Sequence, residues 1–169
     1  MEPVAASTLR WCMPLLQAWD PLPRCPRRVL VAGTSGSGKT TFGRRLAQEL
    51  SIPHTEIDSL FHGPDWTPRP SFEADVRAFS EGDGWVTEWQ YGLVRDQLAE
   101  RADLLIWLDL SRITVMYRII GRTLRRRLHR EVLWNGNIEP PLRTFLTDQQ
   151  HIVRWAWNTP HKSALRVAA

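Results

Sequence analysis

The chain has 169 residues, 43% apolar and 24% charged, and its 22 Lys plus Arg against 18 Asp plus Glu leave a formal charge of +4. At this length a compact chain buries roughly 68–70% of the surface it exposes when unfolded, so a hydrophobic core forms without covalent staples, which argues against a disulfide scaffold or a disordered tail. No apolar window approaches the roughly 18 residues of a membrane span, and residues 1–26 lack the basic-then-apolar order of a secretory signal, so a cytoplasmic protein is expected.

Residues 1–26 hold Pro3, Pro14, Pro21, Pro23 and Pro26. Proline lacks an N–H and fixes φ, so this stretch reads as an extension, with Trp11, Leu15, Leu16 and Trp19 available to dock on the body. Its two cysteines, Cys12 and Cys25, have no metal-ligand spacing around them and fit a reducing compartment. The domain proper is expected over 27–169. It opens on Val29–Ala32, a short apolar run that ends in glycines, as a buried parallel strand does. A helix over Thr40–Leu50 follows, with Phe42, Leu46, Ala47 and Leu50 inward.

A second strand is expected over Ile52–Ile57, then a loop over Leu60–Pro70 and a helix over Ser71–Phe79. Trp85–Thr87 reads as a strand, Tyr91–Arg101 as a helix with Leu93, Val94 and Leu98 inward, and Leu104–Leu108 as the most apolar strand. A helix runs from Ile113 to about Arg130, a loop covers Trp134–Pro141, and a last helix spans Leu142–Trp157. Strands alternating with helices predict an α/β fold, a three-layer sandwich on a parallel sheet of about five strands.

Gly33-Thr34-Ser35-Gly36-Ser37-Gly38-Lys39-Thr40 satisfies G-x-x-x-x-G-K-[ST] between an expected strand and an expected helix. A chance match in a chain of this length is on the order of one in a hundred or less. The motif is that of a phosphate-binding P-loop. Glycines let successive N–H groups face inward, the helix N-terminus adds its positive end, the lysine reaches the β and γ phosphates, and the hydroxyl after it ligates Mg²⁺. Gly33, Ser35, Gly36, Ser37, Gly38, Lys39, Thr40 and Thr41 are therefore the candidate nucleotide site, with Thr40 toward the metal. No Asn-Lys-x-Asp guanine motif stands elsewhere, which favours ATP over GTP.

Charge is concentrated downstream. Residues 112–130 contain seven arginines (112, 118, 122, 125, 126, 127 and 130) and no acid, which leaves the remainder 15 basic against 18 acidic. Arg118, Arg122 and Arg126 recur every four residues and so share a helix face. Seven like charges on one segment repel unless an anion offsets them. Arginines closing over a transferred phosphoryl group stabilise its charge and exclude water, so this helix reads as a lid; a solvated basic face or a nucleic-acid contact are the alternatives. The histidines are scattered without metal spacing, and no serine-hydrolase elbow is present.

The motif spacing resembles small nucleotide and metabolite kinases, and more closely the adenylate-kinase-like group known as DNA topology modulation proteins, over about 28–162. The carriers are Gly33–Thr41, Ile57-Asp58-Ser59-Leu60 with Trp66 beyond, Trp85-Val86-Thr87-Glu88-Trp89-Gln90-Tyr91, Ile106-Trp107-Leu108-Asp109, the pair Arg118 and Arg122, and Trp134-Asn135-Gly136-Asn137 with Glu139. The family usually reads Gly-Asn where this chain has Trp89-Gln90. The resemblance implies transfer of the ATP γ-phosphoryl group to a nucleoside, nucleotide or small metabolite, with ATP and Mg²⁺ required.

Within it, Asp58 falls after the second strand, at the sheet edge where ligands of open α/β folds bind, and can orient or deprotonate an acceptor hydroxyl; a capping aspartate is the alternative. Glu88 resembles the acidic position of the nucleotide-kinase DG motif, near Mg²⁺ or the acceptor. Asp109 is either a Walker-B-type carboxylate or the N-cap of the arginine-rich helix. Trp66 and Trp89 lie where they either stack on an acceptor or pack a loop, and Trp107, Trp155 and Trp157 read as packing. Two rival functions fit the same residues, a nucleotide-dependent nucleic-acid-binding regulator and an ATPase switch without an acceptor.

Overall fold

A computed structural model describes residues 15–129 and 131–137. The expected last helix at 142–157, Glu139, Arg130 and the first fourteen residues lie outside the described part. The elements run β1 (Arg28–Gly33), α1 (Lys39–Leu50), β2 (His54–Thr55), α2 (Ile57–Phe61), a 3₁₀ turn at Pro64–Trp66, α3 (Phe72–Ser80), β3 (Trp85–Glu88), α4 (Arg95–Arg101), β4 (Leu104–Leu108), α5 (Arg112–His129) and a second 3₁₀ turn at Trp134–Gly136.

The sheet has the order β2-β3-β1-β4, and every pairing is parallel. Among the described residues it therefore has four strands where about five were expected. β1 lies in the middle and is covered on both faces, which is why Val29, Leu30, Val31 and Ala32 form an unbroken apolar run. Its side chains alternate between two cores. Val29 and Val31 meet Val86 and the Ala47 face of α1 on one side. Leu30 meets Trp85, Val94, Leu98, Ile57, Phe72 and Val76 on the other, beneath α2, α3 and α4. That is the expected three-layer arrangement, and each fully buried Leu, Ile or Val contributes about 1.5–3 kcal/mol through the water it sheds.

Several expectations are corrected. Strand β2 is only two residues long where 52–57 was expected, and the chain turns at once into α2, so Asp58 stands in the first turn of a short helix and not just past a strand end. The stretch expected as loop over 60–70 includes the end of α2 and a 3₁₀ turn. Helix α4 starts at Arg95, later than expected, because Tyr91 adopts a left-handed conformation (φ 60°) that no helix continues. Leu93 is consequently 70% exposed while Val94 and Leu98 are buried; Phe42, expected inward, is 37% exposed. Trp107, read as packing, is half-buried on strand β4, the outer strand among the described residues. Leu15 and Trp19 stand 85% and 81% exposed, so neither docks on the described body.

Asp103 ties the segment entering β1 to the strand beside it. Its carboxylate accepts from the N–H groups of Arg27 (3.1 Å) and Arg28 (2.9 Å) and pairs with the Arg28 and Arg24 guanidinium groups at 3.0 and 3.4 Å. Burial alone would raise this carboxyl, but the bonds from Arg28 and Arg27 outweigh it and hold it below the usual carboxylate range. A carboxylate depressed in the folded state adds stability above its unfolded pKa, and that stability is lost as pH falls through the folded value. Urea unfolding from about pH 5 downward should therefore weaken more steeply in the native chain than in Asp103→Asn, while the two curves run parallel near about pH 7.

Candidate functional site

In a parallel sheet all strands end on the same side, so β1, β3 and β2 deliver Gly33, Glu88 and Thr55 to one edge. The strand order reverses direction around β1, which is where ligands of open α/β sheets bind. From that edge the chain leaves β1 as the loop 33–38 and enters α1 at Lys39. Gly36 and Gly38 take φ of 81° and 93°, in the left-handed region, and Gly38 is the N-cap of α1 without any side-chain cap. The N–H groups at that helix start are thus left to an external acceptor, as an anion site requires.

Helix α5 closes directly on this loop. A Cβ on Gly36 would overlap Ile119 Cγ1 and stand 2.9 Å from its Cδ1, and one on Gly33 would stand 2.6 Å from Ser37 Oγ. Val115, Ile119 and Thr123, spaced by four, form the buried face of α5. Arg118 donates to the Ser37 carbonyl at 3.2 Å. α5 begins where the Ser111 hydroxyl accepts from the Thr114 N–H (3.3 Å), so Ser111 is the cap and Asp109, exposed just past β4, is not. Arg118 is thereby brought to the loop, and the charge of Arg122 acts on Lys39. Arg126 is turned to the helix end, where it pairs with Glu131 at 3.5 Å beside Arg125 at 3.4 Å.

Lys39 Nζ donates to the Thr34 carbonyl at 3.1 Å, folded back over its own loop. Burial, reinforced by Arg122, pulls this amine below its usual value, while Asp58 and Glu88 pull it up. Both carboxylates therefore stand close enough to Lys39 to act on its charge. Among the other loop residues Ser37 is buried, with an Oγ that has no hydrogen-bond partner, Ser35 and Thr40 are half-buried, and Thr41 is exposed.

Glu88 is 3% exposed at the end of β3. Its Oε2 accepts from the Ile57 N–H (3.0 Å), and its Oε1 has only His54 Nε2 at 3.6 Å and no hydrogen-bond partner. Burial pushes this carboxyl up, but the His54 ring beside it, the Ile57 N–H bond and the nearby Thr40 hydroxyl outweigh it and leave it below its usual value. A buried ionised oxygen with no donor, beside a threonine hydroxyl at a phosphate loop, is a donor set that fits Mg²⁺, which takes one or two protein oxygens and completes its shell with phosphate and water.

Asp58 faces the loop from α2. Its Oδ1 accepts from Tyr91 Oη (2.6 Å) and from Gln90 Nε2. Tyr91 Oη also lies 3.2 Å from His62 Nε2. Burial raises the Asp58 carboxyl and Glu88 adds to this, against the Tyr91 hydrogen bond and the charges of Lys39 and His62; the net direction is upward. Tyr91 is itself pushed far up by burial and by Asp58, so it stays a donor. Around these lie Phe61, stacked on Tyr91 at 4.1 Å, and His62, stacked on Trp134 at 6.0 Å with Trp66 edge-on at 5.1 Å. Trp66 is thus near the Asp58 cluster, whereas Trp89 is used in packing, with its Nε1 on the Arg95 carbonyl and the Arg95 guanidinium 5.6 Å from its ring.

Tyr91, Gln90 and His62 were missed by sequence reasoning. Gln90 and Tyr91 stood in a segment already singled out, but only the left-handed turn after β3 aims them at Asp58.

No family model matches the chain, and no curated protein does. One solved structure that it resembles is a gluconokinase from Sinorhizobium meliloti 1021, at 23% identity and a TM-score of 0.46, covering 86% of this chain and 97% of that one. That likeness is too distant to bear on activity.

The tight seat of Gly36 gives a direct check. Gly36→Ala places a side chain both at positive φ and against Ile119, and should lower stability by about 1–3 kcal/mol, read as a fall in the thermal midpoint. Gly121→Ala, where a Cβ meets nothing within 4 Å on the same helix α5, should not lower it.

Proposed function

We propose that the chain is a small-molecule kinase that moves the γ-phosphoryl group of ATP to a hydroxyl of a small acceptor. The observation that carries this reading is the placement of Asp58 opposite the Lys39 loop, close enough for each charge to act on the other. A loop alone binds nucleotide; a raised carboxylate facing it supplies a place for an acceptor proton.

On this reading the N–H groups of 33–40 and the Lys39 ammonium hold the triphosphate, whose negative charge acts with Asp58 and Glu88 against the effect of burial on Lys39. Arg118 and Arg122 face the transferred group from α5 and neutralise charge as it spreads over the phosphoryl oxygens. Thr40 and Glu88 are the groups that would hold Mg²⁺, which when bound screens the β and γ phosphate oxygens. Asp58 orients the acceptor hydroxyl through the oxygen not committed to Tyr91 and Gln90. The acceptor oxygen forms its bond to the γ phosphorus as the bond from phosphorus to the β–γ bridging oxygen breaks; the acceptor proton passes to Asp58 and the electron pair leaves with ADP. Trp66 and Trp134 border the acceptor side, and closure of α5 over the loop keeps water from taking the phosphoryl group.

Arg118 is engaged with the P-loop and Arg125 and Arg126 with Glu131. This disposition favours a role at the phosphate site over a nucleic-acid surface, which needs its cations turned outward toward a duplex.

ADP release from Mg-ATP, measured against nucleosides, nucleoside monophosphates and small hydroxylated metabolites, tests the assignment. Lys39→Ala should abolish acceptor-dependent release while the chain remains folded, as far-ultraviolet circular dichroism would read; release at the native rate in that variant would refute the assignment. ATP binding with no acceptor raising the rate would favour an ATPase switch.

Asp58→Asn should slow turnover by about 100-fold or more, in the range of a lost general base. Because Asp58 acts as the carboxylate and its pKa is raised, activity should fall on the acid side at a pH above the roughly 4 of an ordinary carboxylate, and this limb should vanish in Asp58→Asn.

A further inference from the structure

The two 3₁₀ turns are built alike. In one, Gly63 N–H donates to the Thr67 carbonyl (2.6 Å) around Asp65 and Trp66 at φ of 54° and 60°. In the other, Leu133 N–H donates to the Asn137 carbonyl (2.7 Å) around Asn135 and Gly136 at φ of 55° and 82°. Asp65, Trp66, Tyr91 and Asn135 are four of the five non-glycine residues at positive φ among the described residues, and all four belong to this cluster. Such strain persists only where surrounding contacts hold it in place.

The two turns clasp each other through Asn137, which is 5% exposed. Its Oδ1 accepts from the Trp66 N–H (3.0 Å), and its Nδ2 donates to the carbonyls of Gly63 and Trp134, both at 2.8 Å. Both N–H donors of that amide and one acceptor position of its oxygen are used in the clasp. Asn135 Nδ2 donates to the His62 carbonyl, and the Trp134 ring lies on His62 with its Nε1 on Glu56 (2.9 Å).

The clasp has a load at each end. On one side, Glu131 joins it to α5 through Arg125, Arg126 and the bond from its own N–H to the Arg126 carbonyl (3.0 Å), and α5 rests on the loop at Gly36 and Ser37. On the other side, His62 continues through Tyr91 Oη to Asp58. An unbroken series of contacts thus runs from the phosphate loop, along α5, through the clasp, to the carboxylate on the acceptor side.

We propose that the Trp134–Asn137 turn couples the two sides, with Asn137 as its positioning pin, so that nucleotide at the Lys39 loop orders the His62–Thr67 turn. The inference rests on the nucleotide-binding reading of that loop. Phosphate drawing Arg118 and Arg122 inward settles α5, and the settled helix end holds the clasp shut over His62. Coupling is reciprocal, so an acceptor that orders the same turn tightens nucleotide binding by the same factor.

Amide hydrogen exchange on the full chain, with and without Mg²⁺ and the non-hydrolysable analogue adenylyl imidodiphosphate, reads this directly, since the Trp66 N–H is itself a clasp hydrogen bond. The analogue should slow exchange of both 33–40 and 61–67 in the native chain, the latter by roughly tenfold. In Asn137→Ala the first protection should persist and the second disappear. Asn135→Gly keeps the left-handed backbone and deletes only the bond to His62; it should weaken the response at 61–67, and it carries the test if Asn137→Ala lowers the thermal midpoint. Protection of 33–40 without any change at 61–67 in the native chain, or an undiminished response at 61–67 in the variants, would overturn the coupling. No protection at 33–40 in the native chain would instead remove the nucleotide reading, and the coupling with it.

Discussion

A lysine ammonium is drawn out of water at the start of α1, and the surrounding site is arranged around that charge. Lys39 has the Thr34 carbonyl as its bonded partner, two carboxylates from different elements acting on it, and an arginine from a third opposing them. Removing a cation from water is costly unless anions are near. Asp58 and Glu88 supply them, and each is in turn held by other groups: Glu88 by the Ile57 N–H, Asp58 by Tyr91 and Gln90. The two carboxylates differ in what holds them. Glu88 stays below its usual value through the Ile57 N–H and the His54 and Thr40 side chains beside it, whereas Asp58 is raised by burial and by Glu88 itself. Two carboxylates pushed apart in this way are suited to different tasks, one to remain charged and one to exchange a proton.

The second constraint is steric. α5 lies so close to the loop that Gly36 has no room for a side chain, and the Arg118 bond to Ser37 fixes the helix in register with it. The loop's conformation and the helix's position are therefore one packing decision. Its consequences extend beyond the phosphate side, because the far end of α5 passes through the Glu131 ion pairs into a turn that grips the acceptor-side loop. Backbone strain gathers there and not in the sheet, consistent with a site whose geometry is imposed by contacts and not by local preference.

Much of the framework was legible from local pattern. The apolar run of β1 declared itself because a strand covered on both faces must be apolar throughout, and β4 was found from the same kind of run although it is only half-buried. The phosphate loop declared itself because its chemistry needs backbone N–H groups, left-handed glycines and one cation at fixed spacing. The acceptor side was only partly legible. Asp58 and Glu88 were found as candidates, yet Asp58 was placed just after a strand over 52–57 and not in a helix, because Ile57–Phe61 is too short for its periodicity to announce one. Gln90 and Tyr91 depend on a left-handed turn that tyrosine seldom adopts, so no propensity argument predicts their direction.

The sequence by itself determined the layer order, the nucleotide-type loop and the arginine-bearing helix, since these follow from period, composition and spacing within a dozen or so neighbouring residues. The tertiary structure alone decided which arginines meet the loop: Arg118 and Arg122 do, while Arg126, on the same helical face by spacing, is taken up by Glu131. It also decided that Ser111 and not Asp109 caps α5, and that Asn137, 71 residues from Trp66 in the chain, closes on its N–H. The reason is common to all three. A residue's local pattern states what it can bond, but which partner arrives is settled by the packing of elements distant in sequence, and that packing is fixed only when both cores of the sheet are filled.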